Sequence, residues 1–206
     1  MHAGTWIKLN GLMNQPNWHR INLDVTDALK INLKDYILSD PYREGEYALY
    51  IEGKAGVWTL NPDTIFRQDF LNDLGIKVDL AQIFYRAPNY QHPGAHVDLG
   101  QTGELYGAGL NWTVDPDDAN MTWYNMPDFE GSNTKRSETD QNMEWPLEQL
   151  TEMERLCIGQ TPTLVRTDVP HTVEMGNNER WLISARFAEH WSWSDYTETL
   201  KDRIVQ

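Results

Sequence analysis

Eight residues near the end of the chain, Arg180-Trp181-Leu182-Ile183-Ser184-Ala185-Arg186-Phe187, constrain the fold more than any other stretch. Side chains alternate across a β-strand. Trp181, Ile183, Ala185 and Phe187 therefore form one apolar face, and Arg180, Leu182, Ser184 and Arg186 form the other. A face that turns two guanidinium groups and a hydroxyl toward an interior requires an anion there. An unpaired buried Arg is costly, whereas a planar guanidinium pairs bidentately with a carboxylate. The alternative is a solvent-facing side whose arginines meet surface acids, and for Arg186 taken alone that is the simpler reading.

The surrounding chain is organised around further short strands. A length of 206 residues suits one domain. Before Gly75, residues Tyr47 to Ile51 read as a strand closed by Gly53. Asn61-Pro62-Asp63 opens a helix in which Ile65, Phe66, Phe70, Leu71 and Leu74 recur at helical spacing until Gly75 stops it. After Gly75 the period changes. Strand-like runs occupy 78–86, 95–99, 106–114, 121–126, 163–166, 169–174 and 180–187, separated by turn signals at 87–94, 115–118 and 176–178. The polar segment 127–160 reads as an insertion of the length used for lids, with a short helix over 147–156, and 194–205 reads as helical. This order predicts a mainly β sandwich or barrel with flanking helices. Its parts are a support region (1–75), a core (76–188) carrying the 127–160 insertion, and a C-terminal helix (189–206).

Composition narrows the function classes. Seventeen Lys+Arg against 31 Asp+Glu give a formal charge of −14, a field that repels phosphate backbones and anionic membranes. A nucleic-acid partner is therefore disfavoured. The single cysteine, Cys157, excludes an internal disulfide and every multi-cysteine metal site, and it reads as an inert small residue. No apolar run reaches the roughly 18 residues of a membrane span, and no basic-then-apolar leader is present, so the expectation is a soluble cytoplasmic protein. Nine Trp and nine Tyr against five Phe suit half-buried β-surfaces or ligand-lined cavities.

His96-Val97-Asp98 puts an imidazole and a carboxylate on one side of a strand, where they can take adjacent corners of a metal's coordination sphere. A His-x-Asp alone is a weak signal. His171, in Thr167-Asp168-Val169-Pro170-His171-Thr172-Val173, would complete a face of two histidines and one carboxylate, which leaves three positions of an octahedral iron open. Singly, each histidine is more simply a hydrogen-bonded core or surface residue. His2, His19, His92 and His190 have no part in this scheme.

In that order, His-x-Asp, then His171, then Arg180 with Ser184, the chain resembles the Fe(II)- and 2-oxoglutarate-dependent dioxygenases. The run 163–174 is similar to the second-histidine region of aspartyl/asparaginyl β-hydroxylase-like and phage-type members. Gly109-Leu110-Asn111-Trp112 and Met121-Thr122-Trp123-Tyr124 look like core strands of the same group. The resemblance covers residues 80 to 188. It implies a double-stranded β-helix (jelly-roll, cupin-like) core with His96, Asp98 and His171 as iron ligands. It also implies Arg180 and Ser184 as the anchor for the distal carboxylate of 2-oxoglutarate. The β-hydroxylases carry an Arg-x-His on the strand after the first ligand pair, and 105–113 contains neither residue; Asn111, of inward parity, is the replacement donor.

The implied activity is hydroxylation of a C–H bond with O2, 2-oxoglutarate leaving as succinate and CO2. A carboxylate ligand at Asp98 favours hydroxylation over halogenation. The expected substrate is an amino acid, a peptide side chain or another small molecule, with Arg186 and Trp123 as contacts and Arg86 or Arg166 as alternative carboxylate partners. Two other readings stay open. One is a carbohydrate-binding jelly roll that stacks sugars on Trp112 and Trp123, and the other is a cupin-like metalloenzyme that does not use 2-oxoglutarate.

Overall fold

The computed structural model describes residues 15–42, 47–90, 94–98, 106–125, 135–136, 143–189 and 191–205. His2, His92, His190 and most of the expected lid before residue 143 lie outside them. The strands in chain order are β1 (Trp18–Ile21), β2 (Tyr47–Ile51), β3 (Ala55–Leu60), β4 (Val78–Arg86), β5 (Ala95–Val97), β6 (Ala108–Thr113) and β7 (Asn120–Asn125). They continue as β8 (Lys135–Arg136), β9 (Met143–Trp145), β10 (Thr151–Cys157), β11 (Thr163–Arg166), β12 (His171–Glu174), β13 (Arg180–Phe187) and β14 (Ile204–Val205).

Two antiparallel sheets result. The larger has the order β14-β1-β11-β6-β13-β4-β3-β2 and the smaller β10-β7-β12-β5-β9-β8. From β4 to β7 the chain crosses from one sheet to the other at every step, and it does so again from β10 to β13.

The alternation in β13 decides which way the larger sheet faces. Trp181, Ile183, Ala185 and Phe187 join the main core together with Ala81 and Ile83 of β4 and Leu110 and Trp112 of β6. Helices α1 (Leu33–Ser39), α2 (Pro62–Ile65), α3 (Gln68–Leu74) and α4 (Trp193–Thr199) supply the opposing layer through Ile37, Ile65, Phe70 and Trp193. Burying side chains of this size contributes about 1.5–3 kcal/mol each. A one-residue slip would push Ser184 and Arg186 into that apolar layer, so the register is firmly specified.

A smaller core joins the two sheets, built from Leu182 and Val165 of the larger sheet and Met121 and Trp123 of the smaller, with Ile158. Beside Phe84 and Trp18, which pack on this core, the larger sheet's inner face carries the polar residues Gln82, Asn111, Thr113, Arg180, Ser184 and Arg186. Among the described residues no helix is long and apolar enough to cross a membrane.

Three sequence expectations change. The helix expected from Asn61 to Leu74 is divided into α2 and α3, because Phe66 and Arg67 are extended. Leu29 bridges to Phe66, and the Arg67 N–H donates to the Ala28 carbonyl at 2.8 Å, so a tertiary pairing overrides local propensity. Gly75 ends α3 as expected, at φ 76°, a left-handed cap that suits glycine.

The helix expected over 147–156 is a single 3-10 turn at Leu147–Gln149 followed by β10, which pairs along β7. Glu152 and Arg155, three apart, imitate helical charge spacing, but Arg155 also reaches Glu174 of β12. Of the expected helix over 194–205, α4 stops at Thr199 and the last described residues form β14, paired to β1. β3 carries no sequence expectation, yet it is the hairpin partner of β2.

Candidate metal centre

His96 in β5 and His171 in β12 are directly opposed across the strand pair, and cross-strand partners share a face. Their ring centroids lie 4.6 Å apart with the planes inclined by 53°. Asp98 sits just past the end of β5. Its N–H donates to the Thr167 carbonyl at 3.0 Å, and its carbonyl accepts from the Tyr106 N–H at 3.1 Å. The turn after β11 and the entry to β6 thus bracket the residue and aim its carboxylate between the two imidazoles. Asp98 Oδ1 is 3.7 Å from Nε2 of both His96 and His171.

One ligand atom from each of the three residues lies within 4.8 Å of the others, a spacing that could hold a metal ion. His171 Nδ1 is 2.9 Å from the Val169 carbonyl. Donation there puts the proton on Nδ1 and leaves the Nε2 lone pair for a cation. His171 is buried, whereas His96 and Asp98 keep partial exposure, so the cluster opens to one side.

Arg186, rather than Arg180, adjoins this cluster. Its Nη2 lies 2.5 Å from Asp98 Oδ2, and its Nε donates to Gln82 Oε1 at 3.0 Å. Burial alone would raise the Asp98 carboxyl; the Arg186 guanidinium, then His171 and His96, outweigh it and hold Asp98 below its usual value as an anion. Arg186 is only 5 % exposed, and its Nη1 is buried without a hydrogen-bond partner. Ser184 Oγ and Asn111 Oδ1 are in the same condition, on residues paired across β13 and β6. A buried polar group left unsatisfied costs about 1–3 kcal/mol. Two of them, Arg186 Nη1 and the Ser184 hydroxyl, are donors, and on one inner face beside a two-histidine, one-carboxylate cluster they make a cradle suited to an anionic ligand. At Gly109 a Cβ would come within 3.0 Å of Arg186 Nη1 and 3.1 Å of Ser184 Oγ, so the missing side chain keeps the cradle clear.

The expectation for Arg180 is revised. Its guanidinium points inward as the strand pattern requires, but the anion it needs belongs to the chain, with Nε donating to Asp117 Oδ2 at 2.8 Å. Burial draws the guanidinium below its ordinary value, and Asp117 opposes that effect. The simpler reading of Arg186, a surface ion pair, is also set aside by its burial.

Arg166 is paired with Asp168 at 2.6 Å through Nε while its Nη2 is buried without a hydrogen-bond partner, and Arg86 donates to the Gly56 and Tyr85 carbonyls. Trp123 is fully buried, with its indole N–H donating to the Arg166 carbonyl at 2.9 Å. It is a wall behind His171, not an open ring for substrate. Trp112 is buried on the other side of the sheet against Phe66 and Phe70, so neither ring offers a face for sugar stacking. Burial and Asp117 raise the Cys157 thiol, keeping it protonated and unreactive at neutral pH.

Sequence reasoning missed Gln82, Tyr106 and Asp117. Gln82 could have been found: within the apolar run 78–86 it is a polar residue of inward parity, and it registers opposite Ser184. Tyr106, whose ring lies 5.9 Å from the Arg186 guanidinium carbon, and Asp117, one acid among several in a turn, carry no local signal. Comparison with models of known protein families and with curated proteins returns no match to this chain, so the site is read from its own geometry.

Proposed function

We infer that the protein is a mononuclear non-haem iron oxygenase that takes 2-oxoglutarate as co-substrate and hydroxylates a C–H bond. The substrate is an amino acid, a peptide side chain or another small molecule. The observation that carries this reading is the convergence of His96, Asp98 and His171 within 4.8 Å, with a buried and incompletely paired Arg186 beside them. Two imidazoles and a carboxylate suit a first-row dication and leave sites for further ligands. The chain order of the strands supports the same reading. β4-β13-β6-β11 in one sheet and β5-β12-β7-β10 in the other are the interleaving expected of a double-stranded β-helix.

Each residue then has a task. His96, Asp98 and His171 hold the ion, and the Val169 carbonyl fixes the His171 tautomer. Arg186, Ser184 and Asn111 orient the co-substrate through its carboxylate, Arg186 taking the role first assigned to Arg180. Leu182, Val165, Met121 and Trp123 form the apolar floor that excludes water. Bound ferrous iron supplies the redox chemistry with O2, coupled to loss of CO2 from the 2-oxo acid. The formal charge of −14 argues against a polyanionic substrate.

The test is spectroscopic and then catalytic. Anaerobic addition of Fe(II) and 2-oxoglutarate should give a weak visible charge-transfer band that the His171→Ala variant lacks. A screen of amino acids and peptides should then find one that stimulates succinate release. Iron bound at the triad with no such band on adding 2-oxoglutarate would remove the 2-oxo acid from the reading.

A further inference from the structure

Two ion pairs are described beside the candidate centre: Asp98 with Arg186, and Arg166 with Asp168. With neutral imidazoles, these described groups sum to no charge. Only the Asp98–Arg186 pair joins a candidate metal ligand to a candidate anion anchor. A carboxylate entering now would meet Asp98 beside the guanidinium, and a dication entering now would meet Arg186 beside the carboxylate. Each is opposed by the charge that the other would neutralise. Together a dication and a dianion leave the sum unchanged, and in a partly desolvated pocket such matching matters far more than it does in water.

We propose that Arg186 is an exchangeable counter-ion for Asp98. A dication at His96, Asp98 and His171 takes over the carboxylate and releases the guanidinium to a dicarboxylate, so the two ligands bind cooperatively and each binds weakly alone. The anion side of the exchange is prepared. Arg186 Nη1 and Ser184 Oγ are buried donors without partners, and Gln82 holds the guanidinium through Nε while Nη2 changes partner. This inference rests on the metal-site reading above and adds the part of the Asp98–Arg186 pair in coupling the two ligands.

The experiment uses Mn2+ and succinate as probes, followed by titration calorimetry without turnover. In the unmodified protein, saturating succinate should tighten Mn2+ binding by about tenfold, and Mn2+ should tighten succinate binding by the same factor, as linkage requires. Direct ligation of the metal by succinate could produce that coupling unaided, so two variants isolate the counter-ion. In R186Q, Mn2+ alone should bind several-fold more tightly than in the unmodified protein, and succinate should no longer matter. In D98N without metal, the freed guanidinium should bind succinate about tenfold more tightly than the metal-free unmodified protein does, and the D98N/R186Q double variant should lose that gain. If R186Q folds poorly, D98N reports on the same pair from its other member.

Unchanged or weaker Mn2+ binding in R186Q, or no gain of succinate affinity in D98N, overturns the counter-ion. Mn2+ bound equally by the unmodified protein and His171→Ala would show that the ion lies elsewhere, and would remove the metal-site reading together with this one.

Discussion

Arg180 Nε donates to Asp117 Oδ2 at 2.8 Å in an ion pair whose side chains are 3 % and 1 % exposed. The pair joins the start of β13 to the turn between β6 and β7. Removing one member leaves a charge stranded in a desolvated site, so Arg180→Met or Asp117→Asn should each destabilise the protein by about 3–5 kcal/mol. Replacing both with apolar residues of similar volume should recover most of that loss. Urea denaturation of the four proteins checks it, and a single replacement within about 0.5 kcal/mol of the parent would contradict a structural role for the pair.

Metal binding should appear as stability. A ligand that binds only the folded state, at 100 times its Kd, adds about 2.7 kcal/mol, or about 5–10 °C in Tm for a domain of this size. Mn2+ should raise the Tm of the parent by that order and leave His96→Ala and His171→Ala unshifted, since each removes a ligand of the cluster. A shift that survives both replacements would locate the ion outside the cluster.

How far the sequence reached depends on how local each signal is. The alternation in 180–187 and the His-x-Asp spacing are carried by neighbouring residues, so the inward face of β13 and the candidate ligands were readable at once. Partner choice is not local. That Arg180 meets Asp117, 63 positions away, while Arg186 meets Asp98 depends on where loops return to the sheet. The same limit explains α2 and α3, where a pairing with residues 28–30 draws Phe66 and Arg67 out of a helix that their own spacing favours. β10 is fixed by a non-local pairing in the same way: its backbone is held by β7, although Glu152 and Arg155 stand at a spacing that also suits a helix.

Alkaline stability should depend on Tyr196. Its hydroxyl donates to the Glu189 carbonyl, and burial pushes its pKa up to about 12. Near the usual tyrosine value of about 10 the unfolded chain loses this proton first, so the folded state binds it more tightly. The stabilisation is complete below pH 10 and is lost as the pH rises from about 10 to about 12. Tyr196→Phe should be less pH-sensitive in that window, as measured by denaturation midpoints from pH 9 to pH 12. Parallel curves for the two proteins would show that Tyr196 does not drive the loss.

Gly109 tests whether the cradle, and not merely the sheet, is what the inner face of β6 supplies. A Cβ there would stand 3.0 Å from Arg186 Nη1 and 3.1 Å from Ser184 Oγ, contacts tight enough to move both groups by a few tenths of an ångström. β6 is a regular strand at this point, so alanine suits the backbone and the cost falls on the site. Displacements of about 1 Å in positioning groups cost about 100-fold in a reaction, and a smaller shift should weaken 2-oxoglutarate binding by about tenfold. Gly109→Ala should therefore raise the Kd for 2-oxoglutarate in the metal-loaded protein while Mn2+ affinity and the urea midpoint stay close to the parent's. Unchanged 2-oxoglutarate affinity would put the co-substrate somewhere other than beside Arg186 and Ser184.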